Sequence, residues 1–175
     1  NGTWAGAAGY ADIQNNILMQ PCHILKPGSV TKMIIGNVMW QLQEEGQVNI
    51  EDPISNYAPE LAANITNGDQ ITIKMLLNHT SGIYPIARDL NYNLAVVNDF
   101  TRAWTAEEII QYFTNKPATN LPGEKFYYCN TNTLISELII ESITNEPLEK
   151  TLDNKVFNPL GMNNTVYYDY SEEFP

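Results

Sequence analysis

The sequence predicts a mostly helical α+β protein with one β-hairpin near its start. Residues 3–13 alternate loosely between apolar and polar side chains, and the turn-forming run Gln14-Asn15-Asn16 separates them from apolar residues 17–19, which is typical of a hairpin. In several later segments apolar residues recur every three or four positions, which indicates amphipathic helices. The 175 residues, 43% hydrophobic and 17% charged, are enough for one domain with a buried core.

We divide the chain at residue 28. Residues 1–27 are assigned to the hairpin, as the edge of an α/β part, and residues 28–175 to a first long helix and the helical part that follows. That helix is predicted to begin at Ser29 and to stop near Gly46, because glycine favours a helix C-terminus. Apolar residues at helical spacing support it: Met33, Ile34, Ile35, Val38 and Leu42.

The later elements are predicted from their start and stop signals. Residues 52–59 contain two prolines and show no periodicity, so we expect an irregular connection there, and we expect a loop over residues 84–104. Residues 105–108, Thr-Ala-Glu-Glu, form a capping box that opens a helix. Thr72 is predicted to cap a short helix through Leu77, and further helices are predicted for residues 105–113, 131–144 and about 147–157.

Charge and composition exclude several classes of partner. A net charge of −11 and an isoelectric point near 4.4 argue against nucleic acid or an anionic membrane surface, because both favour basic proteins. No apolar run is long enough to span a membrane. Two cysteines, Cys22 and Cys129, are too few for a disulfide framework or a metal centre. We therefore predict no metal site and no cofactor.

Ser29 and Lys32 are the first candidates for chemistry. In a helix that begins at Ser29, positions i and i+3 share a face, so the lysine ammonium would lie beside the serine hydroxyl. The positive end of the helix dipole favours an alkoxide or oxyanion there. A serine nucleophile needs such a nearby base, and a partly desolvated lysine can act as one. Alone, the pattern is also common by chance, as a helix cap followed by a solvated lysine.

Further motifs occur with this pair in a fixed order. They are Gly9–Asp12, Leu76–Ile83, Pro122–Asn132 and Pro159–Thr165, and the third contains Tyr128-Cys129-Asn130. With Ser-x-x-Lys and Tyr-x-Asn, the chain resembles the serine β-lactamase and penicillin-binding peptidase superfamily, in its class C β-lactamase and D-alanyl-D-alanine carboxypeptidase branch. The chain departs from the family's usual pattern at two positions. Pro27 lies just before the Ser-x-x-Lys motif, and Cys129 occupies a position where the family usually has Ser or Ala. Neither change removes a reacting atom.

The resemblance implies a role for each of four residues. Ser29 would form an acyl-enzyme with a carbonyl substrate, and Asn130 would hydrogen-bond the substrate amide and Lys32. Either Lys32 or Tyr128 would be the base, a choice that the sequence leaves open, and Tyr128 would return the proton to the leaving group. The resemblance makes His79 a structural residue rather than part of a triad.

The resemblance also sets the function that we expect. A D-alanyl-D-alanine carboxypeptidase or β-lactamase-like enzyme comes first, acting on a small molecule or peptide with a carbonyl centre. The alternatives are an esterase or D-aminopeptidase of the same fold, or a catalytically silent binding or scaffold relative. The presence of Ser29, Lys32, Tyr128 and Asn130 together favours an enzyme. A secreted or periplasmic location is implied by the resemblance alone.

The resemblance further implies that only part of the family's length is present. Its members carry a third motif, Lys-Thr-Gly or His-x-Gly, on a central strand well beyond the Pro-Leu-Gly-Met block. No such motif follows Met162. We therefore expect an N-terminal half with the main sheet largely missing, inactive by itself, whose partner is its own C-terminal half as a second polypeptide.

Overall fold

The computed structural model describes residues 4–167 and divides into two units, Asn1–Thr31 and Lys32–Pro175. The first unit contains the predicted hairpin, in which strand β1 (Tyr10–Asp12) pairs antiparallel with β2 (Ile17–Leu18). The Asp12 carboxylate accepts a hydrogen bond from the Asn15 backbone N–H at 3.0 Å and so closes the turn. The hairpin prediction is confirmed, with shorter strands than the sequence pattern suggested.

The second unit is helical. Its longest helices are α1 (Thr31–Glu44) and α6 (Asn130–Thr144), and the short helix α3 (Ile73–Leu77) packs against α6. The shorter helices are α2 (Pro59–Ala63), α3 (Ile73–Leu77), α4 (Leu90–Asn98), α5 (Ala106–Ile110) and α7 (Leu148–Leu152), which continues as a π-helical turn over Asp153–Phe157. Within the described part of the chain, the hairpin is the only sheet, which confirms the mostly helical α+β class.

The core lies where the apolar faces of the two long helices are buried. Helix α1 buries Ile35, Val38, Met39 and Leu42, and helix α6 buries Ile135, Ile139 and Ile140. These positions recur at three- and four-residue spacing, so the periodicity that predicted the helices also identified their inward faces. Residues from the connecting segments, such as Ile54 and Phe113, join the same cluster.

Two segments expected to be irregular are partly helical. Residues 84–104 contain α4, whose first N–H groups are capped by Asp89: its carboxylate accepts from the Tyr92 N–H at 3.0 Å. None of the residues of α4 is buried, so its apolar side chains give no inward-facing pattern to detect. Pro59 begins the short helix α2, a position that proline favours because its missing N–H needs no partner there.

The predicted capping signals are present. Thr105 Oγ1 accepts from the Glu108 N–H at 3.3 Å, and the Glu108 carboxylate accepts from the Thr105 N–H at 3.0 Å, which together form the capping box of α5. The α5 helix ends at Ile110, three residues before the predicted end at Phe113. Thr72 caps α3 through the Met75 N–H, as its position predicted.

Candidate active site

Ser29 lies in a 3₁₀ turn, Gly28–Val30, that leads along the chain into α1. The Thr31 N–H donates to the Gly28 carbonyl, so helical hydrogen bonding begins one turn earlier than the α-helix itself. Gly28 has φ 57°, a left-handed conformation that glycine adopts at little cost. Ser29 is exposed on the first unit, and its role as nucleophile stays a prediction.

The structure brings Lys32 and Tyr128 together. Lys32 is in the first turn of α1, and its ammonium lies 5.1 Å from the centroid of the Tyr128 ring, a cation–π contact. Tyr128 precedes α6, and its side chain is 48% exposed. The two groups that the sequence proposed for proton transfer are therefore neighbours, although they come from distant motifs.

Asn130 is the first residue of α6, directly after Cys129 at the N-cap position. The Asn130 side chain is exposed and the Cys129 side chain is buried. The Cys129 thiol faces inward, with Sγ 3.9 Å from the Ile83 carbonyl oxygen. This alternation places residues 128 and 130 on the accessible side, which suits substrate contacts, and removes Cys129 as a rival nucleophile.

A buried polar network connects the start of α6 to the loop after α3. The Ile83 N–H donates to Ser81 Oγ at 3.2 Å, and the Ser81 hydroxyl donates to Asn132 Oδ1 at 2.6 Å. The Asn132 amide nitrogen lies 3.0 Å from His79 Nδ1. Ser81 and Asn132 are almost fully buried, so each satisfied polar atom matters for stability.

His79 contacts residues 127–129, the Tyr128 segment, with both its backbone and its ring. Its carbonyl accepts from the Tyr127 N–H at 2.8 Å, and its Nδ1 lies 3.4 Å from the Cys129 N–H. The imidazole and the Tyr128 ring are 4.7 Å apart between centroids. Burial and, to a smaller extent, the positive charge of Lys32 lower the pKa of His79.

Sequence reasoning identified His79 as structural but missed its partners. It did not pair Ser81 with Asn132, because residues about fifty positions apart give no sign of pairing in a single sequence. The available signal was that both are polar residues within two or three positions of apolar ones, Ser81 before Ile83 and Asn132 before Leu134 and Ile135. A polar residue in such a position has to be satisfied by a buried partner.

Thr131 fixes the first turn of α6 to the segment at residues 84–86. Its hydroxyl donates to the Tyr84 carbonyl and accepts from the Ile86 N–H, both at 2.9 Å. Because Thr131 is fully buried, this two-way bond holds the helix start in one position. The start of α6, directly after Cys129, is therefore bonded to residues 84–86.

No group of three or more His, Cys, Asp or Glu side chains suited to a metal ion is found among residues 4–167. Over the same part of the chain, no helix has both the length and the apolar character needed to cross a membrane.

Comparison with known proteins gives consistent matches. The family model "Beta-lactamase" matches residues 1–175. The D-amino acid amidase from Ochrobactrum anthropi SV3, in complex with L-phenylalanine, is 28% identical with a TM-score of 0.82, over 96% of this chain and 44% of that one. The octameric penicillin-binding protein homologue from Pyrococcus abyssi is 30% identical with a TM-score of 0.73, over 89% of this chain and 35% of that one.

A curated relative agrees with the solved structures. The protein PbpX of Bacillus subtilis (strain 168) is 31% identical over 167 residues, which is 95% of this chain and 39% of that protein. The chain thus spans well under half the length of the relatives that it matches. The match of the family model to the whole chain and the shared fold show that the chain belongs to the beta-lactamase family, within the serine β-lactamase and penicillin-binding protein superfamily.

Proposed function

We propose that the protein to which this chain belongs is a serine acyl-transfer hydrolase that works through a Ser29 acyl-enzyme. The observation that carries the proposal is the Lys32 ammonium over the Tyr128 ring at 5.1 Å, which joins the two motifs expected to move protons. Similarity to a D-amino acid amidase and to a penicillin-binding protein homologue supports it.

The proposed reaction has two halves. In the first, Ser29 Oγ attacks the substrate carbonyl carbon while its proton passes to Lys32 or Tyr128, and the bond from that carbon to the leaving group breaks as Tyr128 returns a proton to the leaving atom. In the second, water attacks the ester, gives up a proton to the same pair, and releases the acid with Ser29 reprotonated. Asn130 binds the substrate amide during both halves.

The proposed substrate class is a D-amino-acid carbonyl compound, a D-alanyl-D-alanine peptide or the β-lactam that resembles it. A short-chain ester or an N-terminal D-amino acid amide is the second candidate, supported by similarity to the amidase. A silent scaffold role is less well supported, because the chain keeps Ser29, Lys32, Tyr128 and Asn130. A peptidase of cell-wall peptides acts outside the cytoplasm, so a secreted or periplasmic location is part of the proposal.

Covalent labelling of the full-length protein tests the nucleophile. We expect a fluorescent penicillin or a nitrophenyl ester to add one acyl group, seen by intact-mass spectrometry, and peptide mapping to place it on Ser29. Ser29→Ala should abolish the adduct, whereas Ser142→Ala, an exposed serine of α6, should leave it unchanged. An adduct on Cys129 or Ser81, or one that survives in Ser29→Ala, would show the assignment to be wrong.

Turnover assays then separate the substrate classes. A D-alanyl-D-alanine peptide, a β-lactam, D-phenylalanine amide and a nitrophenyl ester are compared by kcat/KM under one condition. We expect the peptide or the β-lactam to give the highest value. If kcat/KM for the amide or the ester is higher by tenfold or more, the second candidate replaces the first. If a folded protein turns over none of the four substrates, the result supports a silent scaffold role.

We further propose that the working protein includes a C-terminal half beyond this chain, as the same polypeptide or as a second one. The relatives are more than twice as long as the matched region. Helix α1 also presents two large apolar side chains to solvent, Met33 at 71% and Trp40 at 52% exposure, one above the other at i and i+7. Both side chains line a cavity of about 400 Å³ between α1 and residues of α3 and α6, among them Leu76, Leu77 and Ser136.

A further inference from the structure

His79 holds the Tyr128 segment at three points. Its carbonyl accepts from the N–H of Tyr127, the residue before Tyr128, and its ring lies at hydrogen-bond distance from the N–H of Cys129, the residue after. The imidazole itself packs against the Tyr128 ring. His79 has φ 60°, a left-handed conformation that directs its carbonyl and its ring toward the same segment.

The hydrogen-bond network fixes which ring nitrogen of His79 carries the proton. The Ile83 N–H donates to Ser81 Oγ, and the Ser81 hydroxyl donates its own proton to Asn132 Oδ1. The other end of the Asn132 amide, the NH₂ group, therefore faces His79 Nδ1 and donates to it.

A second donor reaches the same nitrogen. The Cys129 backbone N–H also points at His79 Nδ1, at 3.4 Å, and it too can only donate. With two donors facing it, Nδ1 has to be an acceptor. The ring is therefore neutral with its proton on Nε2, a state that follows from the donors at both ends of the network.

We propose that His79 is a positioning residue for Tyr128: as a neutral Nε2–H imidazole, it holds the Cys129 N–H and the Asn132 amide at Nδ1 and keeps the Tyr128 ring beside the Lys32 ammonium. The part of this inference that concerns turnover depends on the proposed serine hydrolase function. The part that concerns the tautomer and the orientation of the ring depends only on the fold.

Protonation of His79 would break this arrangement. Among the described residues, the ionisable groups that act on or contact the imidazole are the Lys32 ammonium from α1 and the Tyr128 phenol ahead of α6. The other contacts, from Asn132, the Cys129 N–H and the Phe126 ring, are neutral. A proton on Nδ1 would place a third donor against two donors, next to a positive charge. Burial and Lys32 both lower the pKa of His79, which keeps the ring neutral at pH 7.

Histidine NMR of the full-length protein tests the tautomer without any activity. In ¹⁵N-histidine-labelled protein, the His79 signals are assigned by their loss in His79→Asn. We expect Nδ1 to resonate as an unprotonated nitrogen and Nε2 as a protonated one at pH 7, with titration below the ordinary value of about 6.5. The Tyr128 ring signals should shift together with that titration. An Nδ1–H tautomer, or Tyr128 signals that do not follow His79, would overturn the proposal.

Kinetics of two variants test the positioning role. His79→Asn keeps an acceptor near the place of Nδ1 and tolerates the left-handed backbone, so the acylation rate should fall only a few-fold. The fall in rate at acid pH, which we expect in the wild type when His79 becomes protonated, should be absent in this variant. His79→Gly also tolerates that backbone but removes both ring and acceptor, so kcat should fall about 10- to 100-fold with KM little changed.

The other histidine of the chain, His23, provides the matched control. His23→Asn, in the first unit, should change neither the NMR signals of His79 nor the kinetics. Equal loss of kcat in His79→Asn and His79→Gly, or an acid limb that persists in His79→Asn, would show His79 to be a packing residue. If the protein acylates nothing at all, the proposed function fails, and the NMR experiment still decides the positioning of Tyr128.

Discussion

Tyr128 combines a structural ring with a reactive hydroxyl, and the two can be separated. The ring contacts the Lys32 ammonium and the His79 imidazole, whereas the proposed chemistry uses only the hydroxyl. Tyr128→Phe keeps both ring contacts, so the variant should fold normally.

We predict that Tyr128→Phe lowers kcat in the full-length protein by roughly 10²-fold or more, the usual scale for a general acid–base group. The measurement is kcat with the best substrate, alongside thermal unfolding. Tyr127→Phe is the matched control, since its neighbouring ring packs under Arg88 and has no proposed role in catalysis. Near-native turnover in Tyr128→Phe would reduce Tyr128 to packing.

Glu137 on α6 is a carboxyl group in an unfavourable place. It lines a cavity of about 240 Å³ with apolar walls that include Ile109 and Leu134. Burial and then the charge of Glu141 raise the pKa of Glu137 to about 7, against the opposing effect of Lys32 and of a hydrogen bond from Tyr167. Between pH 4.5, the ordinary pKa of a glutamate, and about pH 7, the Glu137 carboxyl is largely protonated in the folded state and largely ionised in the unfolded state.

Glu137 should therefore destabilise the fold as the pH rises through that range. We predict that Glu137→Gln raises the free energy of unfolding by about 1–3 kcal/mol at pH 8 and changes it little at pH 4, where both states of the wild type are protonated. Urea denaturation at the two pH values measures this. Glu149→Gln, an exposed carboxyl at the edge of the same cavity, should show no such pH dependence, and an equal effect of both variants would contradict the assignment.

At the scale of elements, helix boundaries followed from caps more reliably than from periodicity. Thr72 and Thr105 were identified from sequence, and each accepts the predicted backbone hydrogen bond. Helix α4 was missed although Asp89 caps it, because Leu90, Leu94 and Val97 face solvent rather than a core. Periodicity predicts a helix only where one face is buried.

The capping box of α5 gives a quantitative test at this scale. Thr105→Ala removes the acceptor for the Glu108 N–H and should lower the free energy of unfolding by about 1 kcal/mol, the usual cost of losing an N-cap side chain. Chemical denaturation of the full-length protein measures it. Glu107→Gln in the same turn should cost less than about 0.5 kcal/mol, because an exposed charge near a helix dipole contributes little. Equal losses would mean that the box adds nothing to stability.

At the scale of the whole molecule, the motifs could be identified from the sequence, whereas the contacts between them could not be predicted from it. Ser29, Lys32, Tyr128 and Asn130 were chosen from local patterns, and the structure places Lys32 against Tyr128, while the catalytic roles of all four stay a prediction. The network of Ser81, Asn132 and His79 joins positions about fifty residues apart. Single-sequence patterns act over one or two turns, so long-range hydrogen bonds of this kind lie beyond them.

The exposed face of α1 leads to a prediction about the complete protein. Met33 and Trp40 lie on one side of the helix that follows Ser29, and together with the adjoining cavity they offer an apolar surface for further polypeptide. If that surface receives the C-terminal half, this chain alone should not react with penicillin or turn over an ester. Mixing it with the C-terminal half, expressed separately, should restore acylation of Ser29.

A charge placed on that face tests the contact directly. In the two-polypeptide system, Trp40→Glu should weaken association by about 10-fold or more, because a carboxylate buried in the interface without a partner is costly. Gln70→Glu places the same charge at an exposed residue that lies outside α1 and does not line the cavity, so it should leave association nearly unchanged. Association is measured by titration calorimetry and acylation by the fluorescent penicillin. Full activity of a monodisperse 19.7 kDa monomer would contradict the need for the second half.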